Sequence, residues 1–245
     1  MTDNINYSSA PITEAIIDIQ VETSATVDAL DAIQAGEEAT YPTVEKMTAN
    51  TGDLVFRPDM TPIAHVTSQP IGYLARSQDG LQIYQARSNG FTFSRLARYP
   101  HWGIFSGESR RLWDKYREVT KPSAITRVAV RYVNRIDIPL PIKSFGDYLR
   151  TAPQLSPDLP QGLSGYFMQL MIPLVDIKCE GIINQALIEP AKPEVVSVVI
   201  DIDIFRTTEL PTNEAQLWGL LEQLRTAKNT VFEACITDEA RRLFK

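Results

Sequence analysis

The chain holds only two cysteines, Cys179 and Cys235, and they form no CxxC pair. A disulfide framework of the secreted kind is therefore excluded, and a cysteine-based zinc site lacks ligands. No apolar run approaches the ~18 residues that a membrane-spanning helix requires. The opening stretch MTDNINYSSAPITEA has neither the basic nor the apolar region of a secretory signal. The expectation is a cytoplasmic protein with both thiols reduced and buried, and with no membrane partner.

A basic excess is missing too. The chain carries 24 Lys and Arg against 30 Asp and Glu, a formal net charge of −6. That balance disfavours nucleic acid as a partner, because non-specific binding rests on neutralising phosphates. There are two histidines, His65 and His101, without metal-ligand spacing. Walker A, GxGxxG after a strand, HExxH and GxSxG are all absent. No cofactor is expected, and the balance leans away from an enzyme.

What is present is an ordinary globular composition, 44% hydrophobic and 22% charged over 245 residues. That is enough chain to bury a core without staples. Residues 13–22, TEAIIDIQVE, alternate apolar and polar and read as a strand. A helix is expected at about 26–35, with Val27, Leu30 and Ile33 three apart. Strands follow at about 44–56, 63–76, 81–87 and 91–95, punctuated by Arg57-Pro58-Asp59, Asp79-Gly80 and Asn89-Gly90. Trp102, Phe105, Leu112, Trp113 and Tyr116 then share one stripe of a helix over 101–118. His101 at its start reads as a surface or capping residue.

The second half opens with a long strand, 124–138, followed by a proline-rich connection with one short helix near 145–150. Strands are expected at about 164–175, 181–188 and 195–206, then a helical region after Pro211 that breaks before Thr237, a suitable N-cap. Residues 13–118 and 124–245, joined near 119–123, thus share an order of strand, helix, several strands, helix. The fold class is α+β: a single domain built on a curved, mostly antiparallel sheet with helices on one face, with the order of a doubled β-α-β-β-β-α unit.

The stretches PITEAIIDIQV, GFTFSRLARYPHW and RVAVRYVNRIDIP resemble the signature stretches of a sporadically distributed prokaryotic family of about this length. The resemblance spans nearly the whole chain. That family has no assigned activity, so no catalytic residue is carried over. Its patchy distribution implies an accessory or interaction role, of the immunity or antitoxin kind, in a mobile or defence-linked system.

One constellation stands out. Period two puts Arg127, Arg131 and Arg135 on one face of the long strand. Two acidic stripes offer compensation: Glu14, Asp18 and Glu22 on the first strand, and Asp201 and Asp203 within VVIDIDIF. Two readings stay open. The groups form cross-strand ion pairs of roughly 0.2–1 kcal/mol each, or Arg127, Arg131, Arg135, Glu14, Asp18, Asp201 and Asp203 line a face that binds an anionic ligand or a partner's acidic segment. No metal is expected; Asp201 and Asp203 are weak candidates, because D-x-D alone specifies little. The aromatic and basic run FTFSRLARYPHW reads as a strand end, a Pro100 turn and helix core in preference to a stacking platform. The function expected is therefore non-catalytic binding of a protein or a small anionic ligand. A metal-dependent phosphate- or nucleotide-processing enzyme is the alternative, and a nucleic-acid-binding module the weaker one.

Overall fold

A computed structural model describes residues 7–55 and 63–245. Its elements follow the hydrophobic periods. Ala15, Ile17, Ile19 and Val21 are the buried alternates of β1 (Ile12–Glu22). Next come β2 (Thr43–Val55), β3 (Ile63–Arg76), β4 (Gln82–Arg87) and β5 (Gly90–Leu96). The turn expected at Arg57-Pro58-Asp59 lies outside the described residues, as does the side chain of His65. Helix α1 (Trp102–Thr120) buries all five residues of the expected stripe, and His101 caps it by accepting from the Ile104 amide. The second half holds β6 (Ala124–Pro139), β7 (Phe167–Leu174), β8 (Cys179–Ile188), β9 (Val195–Arg206), α2 (Glu214–Cys235) and α3 (Asp238–Arg242). Thr237 caps α3 through the Ala240 amide.

Among the described residues, nine strands form one antiparallel sheet in the order β2-β3-β4-β5-β1-β6-β9-β8-β7. It is curved and not closed. The order is nearly symmetric about the central β1–β6 pair. Outward from β1 lie β5, β4 and β3; outward from β6 lie β9, β8 and β7. The first half adds one further strand, β2. Each half's last strand thus returns beside its first, and its helix then crosses the inner face. The helices α1 and α2 meet there over Phe91, Phe93, Tyr132, Ile136, Ile200 and Ile202, all in one core. Both thiols are free and buried.

The helix expected at 26–35 is corrected to a 3-10 helix over Asp28–Gln34. Its amides bond three residues back, Ala29 to Thr26 and Leu30 to Val27. A three-residue spacing of apolar groups is compatible with the 3-10 repeat as well as with an α-helix, and buried Leu30 and Ile33 follow it. The short helix near 145–150 is likewise one 3-10 turn, Phe145–Asp147.

Candidate functional site

The outer sheet face carries the residues singled out by their alternation. On β9, Ile200, Ile202 and Ile204 point into the core and are fully buried, which turns Asp201 and Asp203 outward toward the arginines of β6. Arg127 bridges two strands, donating to Asp18 Oδ1 at 3.0 Å and to Asp203 Oδ2 at 2.6 Å. Its guanidinium also covers the Phe205 ring at 4.6 Å. Arg131 stands opposite Asp203 in register, yet forks diagonally onto Asp201 with bonds of 2.8 and 2.7 Å. Arg135 turns to Asp137 on its own strand, at 2.9 Å, and to Ser197.

The network continues outward. Asp18 also accepts from Arg87 and Thr92, and Asp201 from Asn184. Glu14 and Glu22 make no ion pair among the described residues; Glu14 only adds its charge to the field on Arg131. The geometry is that of an ion-pair ladder in which each arginine faces a carboxylate, across strands for Arg127 and Arg131 and within β6 for Arg135. Arg131, the mid-strand residue, has a half-exposed side chain, whereas Arg127 is four-fifths buried. Burial pushes the Asp203 carboxyl above its ordinary range despite Arg127, and its Oδ1 has no hydrogen-bond partner among the described residues. Among these residues no group of three or more His, Cys, Asp or Glu is placed to hold a metal ion.

A second site lies on the inner side, and sequence reading missed it. A cavity of about 400 Å³ opens between the start of α1, the strand β6 and the middle of α2. Its walls come from four distant stretches, the first of them Tyr7 and Ala10 to Ile12 at the start of the described chain. Tyr132 and Asn134 are inward alternates of β6. Tyr99 and His101 lie on the connection into α1, where Arg98 takes a positive φ of 65° and Pro100 redirects the chain. Arg225, Lys228 and Phe232 project from one face of α2, at i, i+3 and i+7.

Lys228 is the unusual group. It is 5% exposed and stands at a core position of α2 between Leu224 and Val231. Its Nζ lies 3.6 Å from the centre of the Tyr132 ring and makes no hydrogen bond or ion pair among the described residues. Burial pushes this ammonium from 10.5 down to about 7; Arg225 adds repulsion, and Glu233 opposes the shift. Glu233 is committed elsewhere, accepting from the Tyr7 hydroxyl and from Arg241, each at 2.7 Å. The Tyr132 hydroxyl donates to that of Tyr99 at 2.7 Å. Burial raises both phenols, Tyr99 to about 12, so both stay protonated.

The rest of the wall carries charge of both signs, from Arg225 and Glu233. Arg225 packs over the Trp102 ring, with Glu222 3.7 Å away. His101 satisfies the Ile104 amide, and Phe105 is the first residue to bond back within the helix. The Trp102 and Gly103 amides are therefore left at the positive end of the α1 dipole, beside the cavity. A cavity of this size, with few polar groups converging on it, suits a small ligand.

A sequence signal for Lys228 did exist. The stripe Leu217, Leu221, Leu224, Val231, Cys235 runs at helical spacing, and its gap falls on a lysine. Cys235 belongs to that stripe as core, its thiol pushed up by burial. No helix of the described residues is long and apolar enough to cross a membrane. No protein-family model matches the chain, and no curated protein matches its sequence.

Proposed function

We propose that this is a small-ligand binding protein whose ligand occupies the cavity at Lys228, with its anionic group against Arg225 and the N-terminus of α1. One observation carries the reading: a buried lysine opens on a cavity and has no acceptor among the described residues. Leaving a polar group buried and unpaired costs roughly 1–3 kcal/mol, and more for a charged one. Lys228 Nζ is not among the sealed, unpartnered atoms; it meets the cavity, so whatever completes its hydrogen bonds enters there, whereas an apolar side chain at that helix position needs no such partner.

The reading keeps the small anionic ligand expected from the sequence but moves it from the outer strand face to the inner cavity. The outer arginines already hold Asp18, Asp201, Asp203 and Asp137, so an incoming anion there competes with bonds already made. The same pairing weakens the alternative of a phosphate-processing metal enzyme on that face. Two free, buried thiols support a cytoplasmic setting.

The test is thermal unfolding of the wild type and Lys228→Met in the presence of inorganic phosphate, pyruvate and a nucleoside monophosphate. A ligand that binds only the folded form raises the midpoint in proportion to the logarithm of its concentration. At least one of these anions should raise the wild-type midpoint and leave that of Lys228→Met unchanged. A wild type indifferent to all of them overturns the reading.

A further inference from the structure

The Lys228 cavity combines two features that a simple anion site does not need together. One is a rim where Arg225, with Glu222 3.7 Å away, meets the unbonded amides at the start of α1. The other is a primary amine set deeper, on an aromatic face, with no carboxylate bonded to it among the described residues. A ligand that satisfies both has a carboxylate at one end and an electrophilic carbon next to it.

We infer that Lys228 forms a reversible imine with a 2-oxo acid held in this cavity, its carboxylate at the rim and its carbonyl carbon at Nζ. The inference rests on the ligand reading above and names the ligand's class. The bond-making balances without oxidant or reductant. The Nζ lone pair adds to the carbonyl carbon, and the carbonyl π pair moves to oxygen, which takes up a proton. The nitrogen then loses a proton to give the carbinolamine; its hydroxyl takes up a second proton from solvent, the C–O bond breaks with release of water as the nitrogen lone pair closes C=N, and the remaining N–H proton of the iminium returns to solvent. Hydrolysis reverses each step.

The surroundings favour the amine over the ammonium. Tyr132 presents only its ring face to Nζ, and the Tyr99 and Tyr132 hydroxyls are occupied with one another. On α2 itself, Arg225 disfavours a second positive charge, and Glu233 is held by Tyr7 and Arg241. His101 is engaged as the cap of α1. With the Lys228 ammonium near 7 and an ordinary lysine near 10.4, the free-amine fraction at pH 7 favours Lys228 by on the order of a thousandfold.

The experiment is reductive trapping. Wild type, Lys228→Met and Lys228→Arg are incubated with pyruvate at about pH 7, treated with cyanoborohydride, and read by intact mass and peptide mapping. The expected product is one adduct, with a mass gain equal to pyruvic acid less one oxygen, on the Lys228 peptide of the wild type. Labelling there should exceed that of any other lysine by at least about tenfold, given the difference in free-amine fraction. Both variants should lack it, and Lys228→Met keeps the core position filled, so loss of the adduct is not loss of the fold. If pyruvate raises the unfolding midpoint but no adduct maps to Lys228, or if label spreads evenly over the lysines, the imine is wrong and the binding reading survives. If no anion stabilises the protein and no adduct forms, both are wrong.

Discussion

Lys228 Nζ rests 3.6 Å from the centre of the Tyr132 ring, one helix position pressed onto one strand position of the central sheet. The contact joins α2 to β6 at the place where a core side chain is expected. A desolvated cation on such a face gains about 2 kcal/mol, which does not replace the hydration it has lost. The amine therefore sits at a cost to the fold.

That cost has a pH signature. The folded ammonium titrates near 7, below the ordinary 10.5 of the unfolded chain, through burial and Arg225. Between these values the unfolded state binds more protons, so the group makes stability rise with pH at up to about 1.4 kcal/mol per unit. Below about pH 7 both states are protonated and its slope vanishes. Lys228→Met should be more stable than wild type at pH 7 by about 1–4 kcal/mol, and the gap should narrow toward alkaline pH. Urea denaturation between about pH 6 and 9 measures it; a constant gap contradicts a buried amine.

A second buried charge braces the first half. Glu37 is 2% exposed and receives both terminal nitrogens of Arg111, at 2.6 and 2.8 Å, with Lys115 beside it. Burial alone raises its carboxyl, but the two cations outweigh that and hold it below the ordinary 4.5. A lowered acid contributes stability above 4.5 that is lost as pH falls through the folded value. Glu37→Gln should cost about 2–4 kcal/mol at pH 7, toward the low side for a broken buried pair because Arg111 is partly exposed. In denaturation curves taken down to about pH 3, that difference should shrink.

Close backbone approach makes a third test. A Cβ on Gly72 would stand 2.1 Å from the Ala86 carbonyl oxygen, where β3 meets β4. Neither backbone can give way without loosening the pair. Gly72→Ala should destabilise by about 1–3 kcal/mol, seen as a lower urea midpoint. An unchanged midpoint means that β3 and β4 do not pair at Gly72 as described.

The parts of this architecture legible in the sequence are those that depend on local period. Alternation placed Arg127, Arg131 and Arg135 on one face and Tyr132 and Asn134 on the other, as the sheet has them. Partner choice was not legible, because it depends on the register between strands some 70 residues apart, and Arg131 slips diagonally past Asp203 to Asp201. The inner cavity was hidden for the same reason. Tyr99, Tyr132 and Lys228 come together only because the sheet order sets β5, β1 and β6 side by side, with α1 over β5 and α2 over β6. Three-residue spacing at Val27, Leu30 and Ile33 fits both helix types, and local hydrogen bonding chose the tighter one.

The ladder on the outer face can be separated from a ligand site by its most buried member. Arg127 is the sole ionic partner of Asp203 among the described residues, whereas Asp18 keeps Arg87 and Thr92 if Arg127 is lost. Arg127→Ala therefore strands one carboxylate, Asp203, whose pKa burial already raises and whose Oδ1 is unsatisfied. The expected loss is about 3–5 kcal/mol at pH 7. Without Arg127 the Asp203 carboxyl rises further, so the folded variant takes up a proton more readily than its unfolded chain. Its deficit should then ease as pH falls through that raised value. Arg127→Ala combined with Asp203→Asn removes the stranded charge and should recover part of the loss, a coupling that a double-mutant cycle reads directly. Arg131→Ala should cost less, because its side chain is half-exposed and Asn184 still reaches Asp201. If Arg127→Ala is instead neutral or stabilising, the face carries uncompensated positive charge, and the outer arginines regain their claim as the binding site.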